Sequence, residues 1–78
     1  MNELLVAAMA QILECEPSEI SPITEFRSLA DWDSLAYISA ITVIESEFGV
    51  IIPDNEFRKF KTIADISDYI RKNGGKSQ

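Results

Sequence analysis

A serine flanked by carboxylates, in the run Asp31-Trp32-Asp33-Ser34-Leu35, is the place where this chain's side chains could do chemistry. A serine hydroxyl becomes a nucleophile beside a base that takes its proton, and the sequence contains no histidine to act as one. A neighbouring aspartate cannot orient a base that is absent, so no catalytic residue is assigned. A calcium loop starting at Asp31 fails as well. It would put Leu35 at position five, Ala36 at six and Thr42 at twelve, where an Asp or Asn, a Gly and a Glu are needed. No metal ligand follows from this run. Cys15 is the only cysteine, which excludes an internal disulfide and a cysteine-based zinc site. With nothing basic near it in sequence, Cys15 reads as a small buried hydrophobe. Taken alone, Asp-Ser-Leu is a helix start, because Ser and Asp are common caps.

The elements around this run are helical. From Leu4 to Glu14, Leu5, Met9, Ile12 and Leu13 fall on one helical face, and three alanines favour helix locally. Pro17 and Pro22 open a long connection to about Asp33, expected to lie packed through Ile20, Ile23, Phe26 and Leu29. Ser34 to Phe48 has no Gly or Pro. Ile38, Ile41, Ile44 and Phe48 share about a third of the wheel and, with Tyr37, are expected in the core. The same wheel puts Ala36, Ser39, Val43, Ser46 and Glu47 outward. Gly49 ends the helix, and Val50 to Ile52 form a short apolar link closed by Pro53. Asp54 is expected to cap a brief helix to about Phe60, and Thr62 and Asp65 have capping-box spacing ahead of Ile63, Ile66 and Ile70. Trp32 reads as a partly buried packing residue, and Arg58-Lys59-Phe60-Lys61 as a solvated face. The expected fold class is all-α: a four-helix bundle of three main helices and one short one, with a long first loop. Residues 1–73 are expected to form one domain and residues 74–78 a disordered tail.

At 78 residues the chain has little room for an enclosed catalytic pocket, so its work is expected at the surface. Its net charge of −6 argues against nucleic acid and anionic membrane as partners and favours basic protein surfaces. The charge is uneven. Residues 1–57 hold eleven acids and one base, Arg27, for a net of −10, whereas residues 58–78 carry +4. The apolar run from Leu4 to Ala10 is short and lacks a preceding Lys or Arg, unlike a signal peptide, and no run approaches a membrane span. A cytoplasmic monomer is expected.

The ordered set of motifs resembles the acyl carrier protein family. Phe26 stands eight residues before the serine, and Asp33-Ser34-Leu35 sits near mid-chain. The helix end Glu45-Ser46-Glu47-Phe48-Gly49, then Ile52-Pro53 and Thr62-Ile63, follow in order up to Tyr69-Ile70. The resemblance implies that Ser34 receives 4'-phosphopantetheine from coenzyme A through a phosphopantetheinyl transferase. It also implies that acyl intermediates of fatty-acid, polyketide or related metabolism are held as thioesters on that arm, and that a long acyl chain shelters between the helices. The chain is then a carrier and not an enzyme. Its partners would be the transferase and acyl-transferring or acyl-activating enzymes with basic docking surfaces. Independently of the resemblance, a phosphodiester on Ser34 would lie at the positive end of the second helix. Asp31 and Asp33 are expected to cap that helix and attract basic partners, and with Leu35 they form the expected docking surface. The outward face of the helix departs from many fatty-acid carriers in carrying one charge among its five residues. A carrier of aminoacyl or peptidyl groups on the same fold, and an unmodified helical interaction module with Ser34 as a mere cap, are the alternative readings.

Overall fold

The first helix, α1 (Glu3–Ile12), buries Leu5, Met9 and Ala10, and Leu13 completes the face just beyond it. The computed structural model describes residues 3–73, so the expected tail at 74–78 lies outside the described residues. Glu14 ends α1 in the left-handed region at φ 56°, the N–H of Cys15 reaching back to the carbonyl of Ala10 at 3.0 Å and that of Glu14 to Gln11 at 3.3 Å. This is the Schellman pattern, with a glutamate where glycine is usual.

The connection to Asp33 holds two short 3₁₀ turns, Pro17–Glu19 and Phe26–Ser28. Two of its four expected anchors, Ile20 and Phe26, are buried. Ile23 is 81% exposed and Leu29 is exposed as well. The reason is local: Ser21 to Thr24 is a hydrogen-bonded turn, closed by Thr24 N–H on the Ser21 carbonyl at 3.1 Å, and Ile23 rides on its tip.

Helix α2 (Ser34–Phe48) starts at the cap Asp33 and ends at Gly49, whose φ of 70° needs no side chain to be accommodated. Ile44 and Phe48 are buried as expected, and Ile41 is half-buried against the core. The helix is nevertheless rotated from its expected orientation. Ile38 is 57% exposed, while Ala36 and Ala40 are only 6% and 1% exposed. Ala36 borders the groove between α1 and α2 and Ala40 joins the core cluster that holds Leu5 and Met9, so small side chains one turn apart lie where α2 packs against α1.

Helix α3 (Asp54–Phe57) is shorter than its expected span to Phe60, and Asp54 is its first residue, the cap position being Pro53. An α-helix continuing past Phe57 would need the Phe57 carbonyl to accept from Lys61 N–H. Instead that carbonyl accepts from Arg27 Nη2, and Lys61 N–H donates to Asp65 Oδ2 at 2.8 Å. Helix α4 (Ile63–Lys72) buries Ile63, Ile66 and Ile70 behind a capping box between Thr62 and Asp65. The link Val50 to Ile52 is extended but unpaired, and the described residues contain helices and turns with no strand.

Aromatic rings join these parts. Phe57 of α3 lies 5.2 Å from Tyr37 of α2, 5.9 Å from Phe26 and 6.0 Å from Trp32, centroid to centroid, with Trp32 stacked at 6° and the other two edge-on. Such pairs contribute about 0.5–1.5 kcal/mol beyond their buried area. Trp32 is half-buried in this cluster, as expected of a packing residue.

Candidate functional site

Ser34 is exposed and occupies the first turn of α2, placed there by the residue before it. Asp33 is extended, with φ −145° and ψ −170°, and its Oδ1 accepts from Ala36 N–H at 2.8 Å. That bond fixes where the helix begins and therefore where the serine points. The expected capping role thus falls to Asp33; Asp31 is exposed and caps no helix among the described residues.

The first turns of α2 and α4 differ. In α4 the early donors are all taken: Ile63 N–H by the Thr24 carbonyl at 3.1 Å, Ala64 N–H by the Pro22 carbonyl at 2.9 Å and Asp65 N–H by Thr62 Oγ1 at 3.3 Å. In α2 the N–H groups of Ser34 and Leu35 find no acceptor among the described residues. An anion held on the Ser34 hydroxyl would therefore meet unused donors and the positive end of a fifteen-residue helix.

Two depressions flank this point. An open cleft of about 300 Å³ between α2 and α3 runs from Ser34 past Trp32, Tyr37 and Phe57, with Arg27, Arg58 and Asp54 among its polar walls. On the other side, a larger groove of about 460 Å³ between α1 and α2 is bordered by Glu14, Asp31, Asp33 and Leu35. The structure thus brings the expected docking residues Asp31, Asp33 and Leu35 together on the α1 side and turns Ser34 toward α3. Leu35 is 74% exposed.

Three features of the cleft escaped sequence reasoning. Arg27, from the long loop, donates through Nε to the Phe60 carbonyl at 2.6 Å and through Nη2 to that of Phe57, its guanidinium lying 5.2 Å and 5.5 Å from the Phe26 and Phe57 ring centroids. Its one signal in the sequence was being the lone base among the first 57 residues. Tyr37 donates its hydroxyl to Asp54 Oδ1 at 2.9 Å, and Asp54 Oδ2 in turn meets Arg58 Nε at 2.7 Å. Arg58 was expected on a solvated face, and it is exposed, but it also forms one wall of the cleft beside Ser34. Burial raises the Tyr37 pKa, helped by its hydrogen bond to Asp54 and the charge there. Cys15 is half-buried, and its thiol is also raised, first by burial and then by Glu19, Glu16 and Asp31, which keeps it a poor nucleophile.

This geometry defines a small helical domain that presents one serine hydroxyl at an open helix N-terminus, without a base to activate it. The family model for the phosphopantetheine attachment site matches residues 3–70. The chain is 38% identical over 68 residues to an acyl carrier protein of Thermosynechococcus vestitus, covering 87% of this chain and 84% of that one. It is 33% identical over 73 residues to an acyl carrier protein of Acidothermus cellulolyticus, covering 88% and 87%. It is also 36% identical over 75 residues to a meromycolate extension acyl carrier protein of Mycobacterium leprae, with 91% of this chain covered; the match spans 65% of that longer protein. The chain belongs to the acyl carrier protein family. Its members are carriers rather than enzymes, and the group they carry cargo on is phosphopantetheine. Exposure of Ser34, the unused donors beside it and the open cleft all fit that group. No described helix is long and apolar enough to cross a membrane.

Proposed function

We propose that Ser34 is the attachment residue, and that the chain presents acyl intermediates of fatty-acid-type metabolism to partner enzymes that dock around the start of α2. The observation that carries this reading is the position of an exposed serine at the first turn of α2, beside two N–H donors that find no acceptor among the described residues. A phosphopantetheinyl transferase would supply the base the chain lacks. It takes the hydroxyl proton while Ser34 Oγ bonds to the phosphorus of coenzyme A that bears the pantetheine, and the anhydride P–O bond breaks to release adenosine 3',5'-bisphosphate. When bound, the arm supplies a terminal thiol on which an acyl group is held as a thioester, at high effective concentration for a docked partner.

The residues of this chain position and steer. Asp33 sets the start of α2, the helix end favours the anion, and Asp31 and Asp33 attract basic surfaces over distance. Leu35 supplies apolar contact. The exposed face of α2 supports a mixed docking surface: Leu35 and Ile38 in its first turns, Glu45 and Glu47 near its end. Fatty-acid-type cargo is favoured because the relatives include proteins named for meromycolate extension. The compartment that fits this role is the cytoplasm. The test is to incubate the protein and Ser34→Ala with coenzyme A and a broad-specificity transferase and to take intact masses. One added phosphopantetheinyl mass on the parent and none on the variant is expected; a variant that still gains it sinks the assignment.

A further inference from the structure

Arg27 is exposed and stands near Ser34, the lone base among the first 57 residues, which carry eleven acids. Its guanidinium is nevertheless paired with no carboxylate among the described residues. Neutral groups hold it instead. Nε–H and one N–H of Nη2 donate to the carbonyls of Phe60 and Phe57, and the ring centroids of Phe26 and Phe57 lie 5.2 Å and 5.5 Å away. A guanidinium has five donors in a planar fork, and these two bonds use the edge made by Nε and Nη2. The other edge, made by Nη1 and the second N–H of Nη2, finds no acceptor among the described residues. A fork pinned in this way has little side-chain freedom left to lose, and a carboxylate matches its free edge with two parallel bonds. Arg58 is not equivalent, because Asp54 already holds it at 2.7 Å.

Resting on the reading that basic partner surfaces dock around the start of α2, we propose that Arg27 determines which of them fit: it selects partners that set one carboxylate within a basic surface. The free edge of the fork takes that carboxylate while the acids around it take the partner's lysines and arginines. A partner that is basic throughout brings a cation against Arg27, and the like charges oppose docking there. An acidic front by itself attracts any basic surface and leaves its orientation open. One cation held at a fixed place within that front defines which way round the partner sits. The bonds to Phe57 and Phe60 stay in place when the carboxylate binds, so no part of the domain has to open.

The experiment uses the full chain and two short synthetic peptides that alternate lysine and alanine and differ only at the central position, glutamate in one and glutamine in the other. Attraction by net charge alone favours the glutamine peptide, which is the more basic. The opposite order is expected here. The glutamate peptide should bind the parent about twofold more tightly, the scale of one exposed charge pair. The order should reverse in Arg27→Gln and persist in Arg71→Gln, a charge control in the last turn of α4. Nitrogen NMR of the parent gives a reading that does not depend on how a variant folds. The Arg27 Nη resonances should move with the glutamate peptide and not with the glutamine peptide, while the Nε–H bonded to the Phe60 carbonyl keeps its position. A glutamine peptide that binds the parent as tightly or more tightly overturns the role of Arg27 and leaves the docking surface intact. So do Arg27 resonances that move alike with both peptides. Binding of neither peptide overturns the docking reading itself, and the role of Arg27 with it.

Discussion

The hydroxyl of Tyr37, in the first turn of α2, reaches across to Oδ1 of Asp54 at the start of α3 and donates a 2.9 Å hydrogen bond, while Arg58 holds the other carboxylate oxygen at 2.7 Å. Four residues long, α3 has few bonds of its own. This link and the Phe57 ring are what tie it to α2. Tyr37→Phe keeps the ring and removes the donor, so it is expected to lower stability by about 0.5–1.5 kcal/mol. Urea unfolding read from Trp32 fluorescence measures it, and an unchanged midpoint would show that α3 is held by ring packing alone.

The rotation of α2 predicts a contrast between two apolar residues on the same helix. Phe48→Ala should cost about 3–5 kcal/mol, much of what a domain of this size has. Ile38→Ala, at an exposed position, should stay within about 0.5 kcal/mol of the parent. Thermal or urea unfolding of both variants decides it; similar losses from the two would mean that Ile38 is packed.

Asp65 gives a pH dependence with a defined sign. Its carboxylate accepts from Lys61 N–H at 2.8 Å and Thr62 N–H at 3.1 Å, and these bonds hold its pKa below the ordinary value. A carboxyl group depressed in the folded state contributes stability above its unfolded pKa of about 3.9, and loses it as pH falls through the lower folded value. Asp65→Ala should therefore cost about 0.5–2 kcal/mol at pH 7, with the gap to the parent narrowing below about pH 4. Unfolding curves at pH 7 and pH 3 measure the gap, and a constant difference would rule out the charged acceptor as its source.

Docking is best probed away from the cap. Reversal of Asp33 would remove the bond to Ala36 N–H together with the charge, whereas Asp31 is exposed and caps no helix among the described residues. Asp31→Lys is expected to slow transferase loading at low salt and to matter less as salt rises. Leu35→Ala should slow it with little salt dependence, because an apolar contact acts on release more than on encounter. Initial loading rates at two ionic strengths separate the two effects, and an Asp31→Lys rate equal to the parent's at low salt would exclude electrostatic steering from this side.

Both ends of α2, the start of α4 and the serine's place were legible in the sequence because they rest on contacts between residues a few positions apart, whereas both ends of α3 were not. Gly49 stops α2 through its own backbone freedom, Thr62 and Asp65 close a box three residues wide, and Asp33 sets the start of α2 three residues ahead of the N–H it binds. The ordered motifs from Phe26 to Thr62-Ile63 were enough to indicate the family. Which side of α2 faces inward was not legible. Ala36, Ile38, Ala40, Ile41, Val43 and Ile44 surround the helix with apolar side chains, and packing buries the Ala36, Ala40 and Ile44 side and leaves Ile38 outside. The same holds for Ile20 and Ile23, alike in type and separated only by which one rides on a turn. The cleft beside Ser34 was decided entirely by tertiary structure. Arg27 meets its carbonyls 30 and 33 residues away, and Tyr37 meets Asp54 across 17. No periodicity or short motif encodes contacts of that separation, since they exist only once packing has brought the loop, α2 and α3 around one buried phenylalanine.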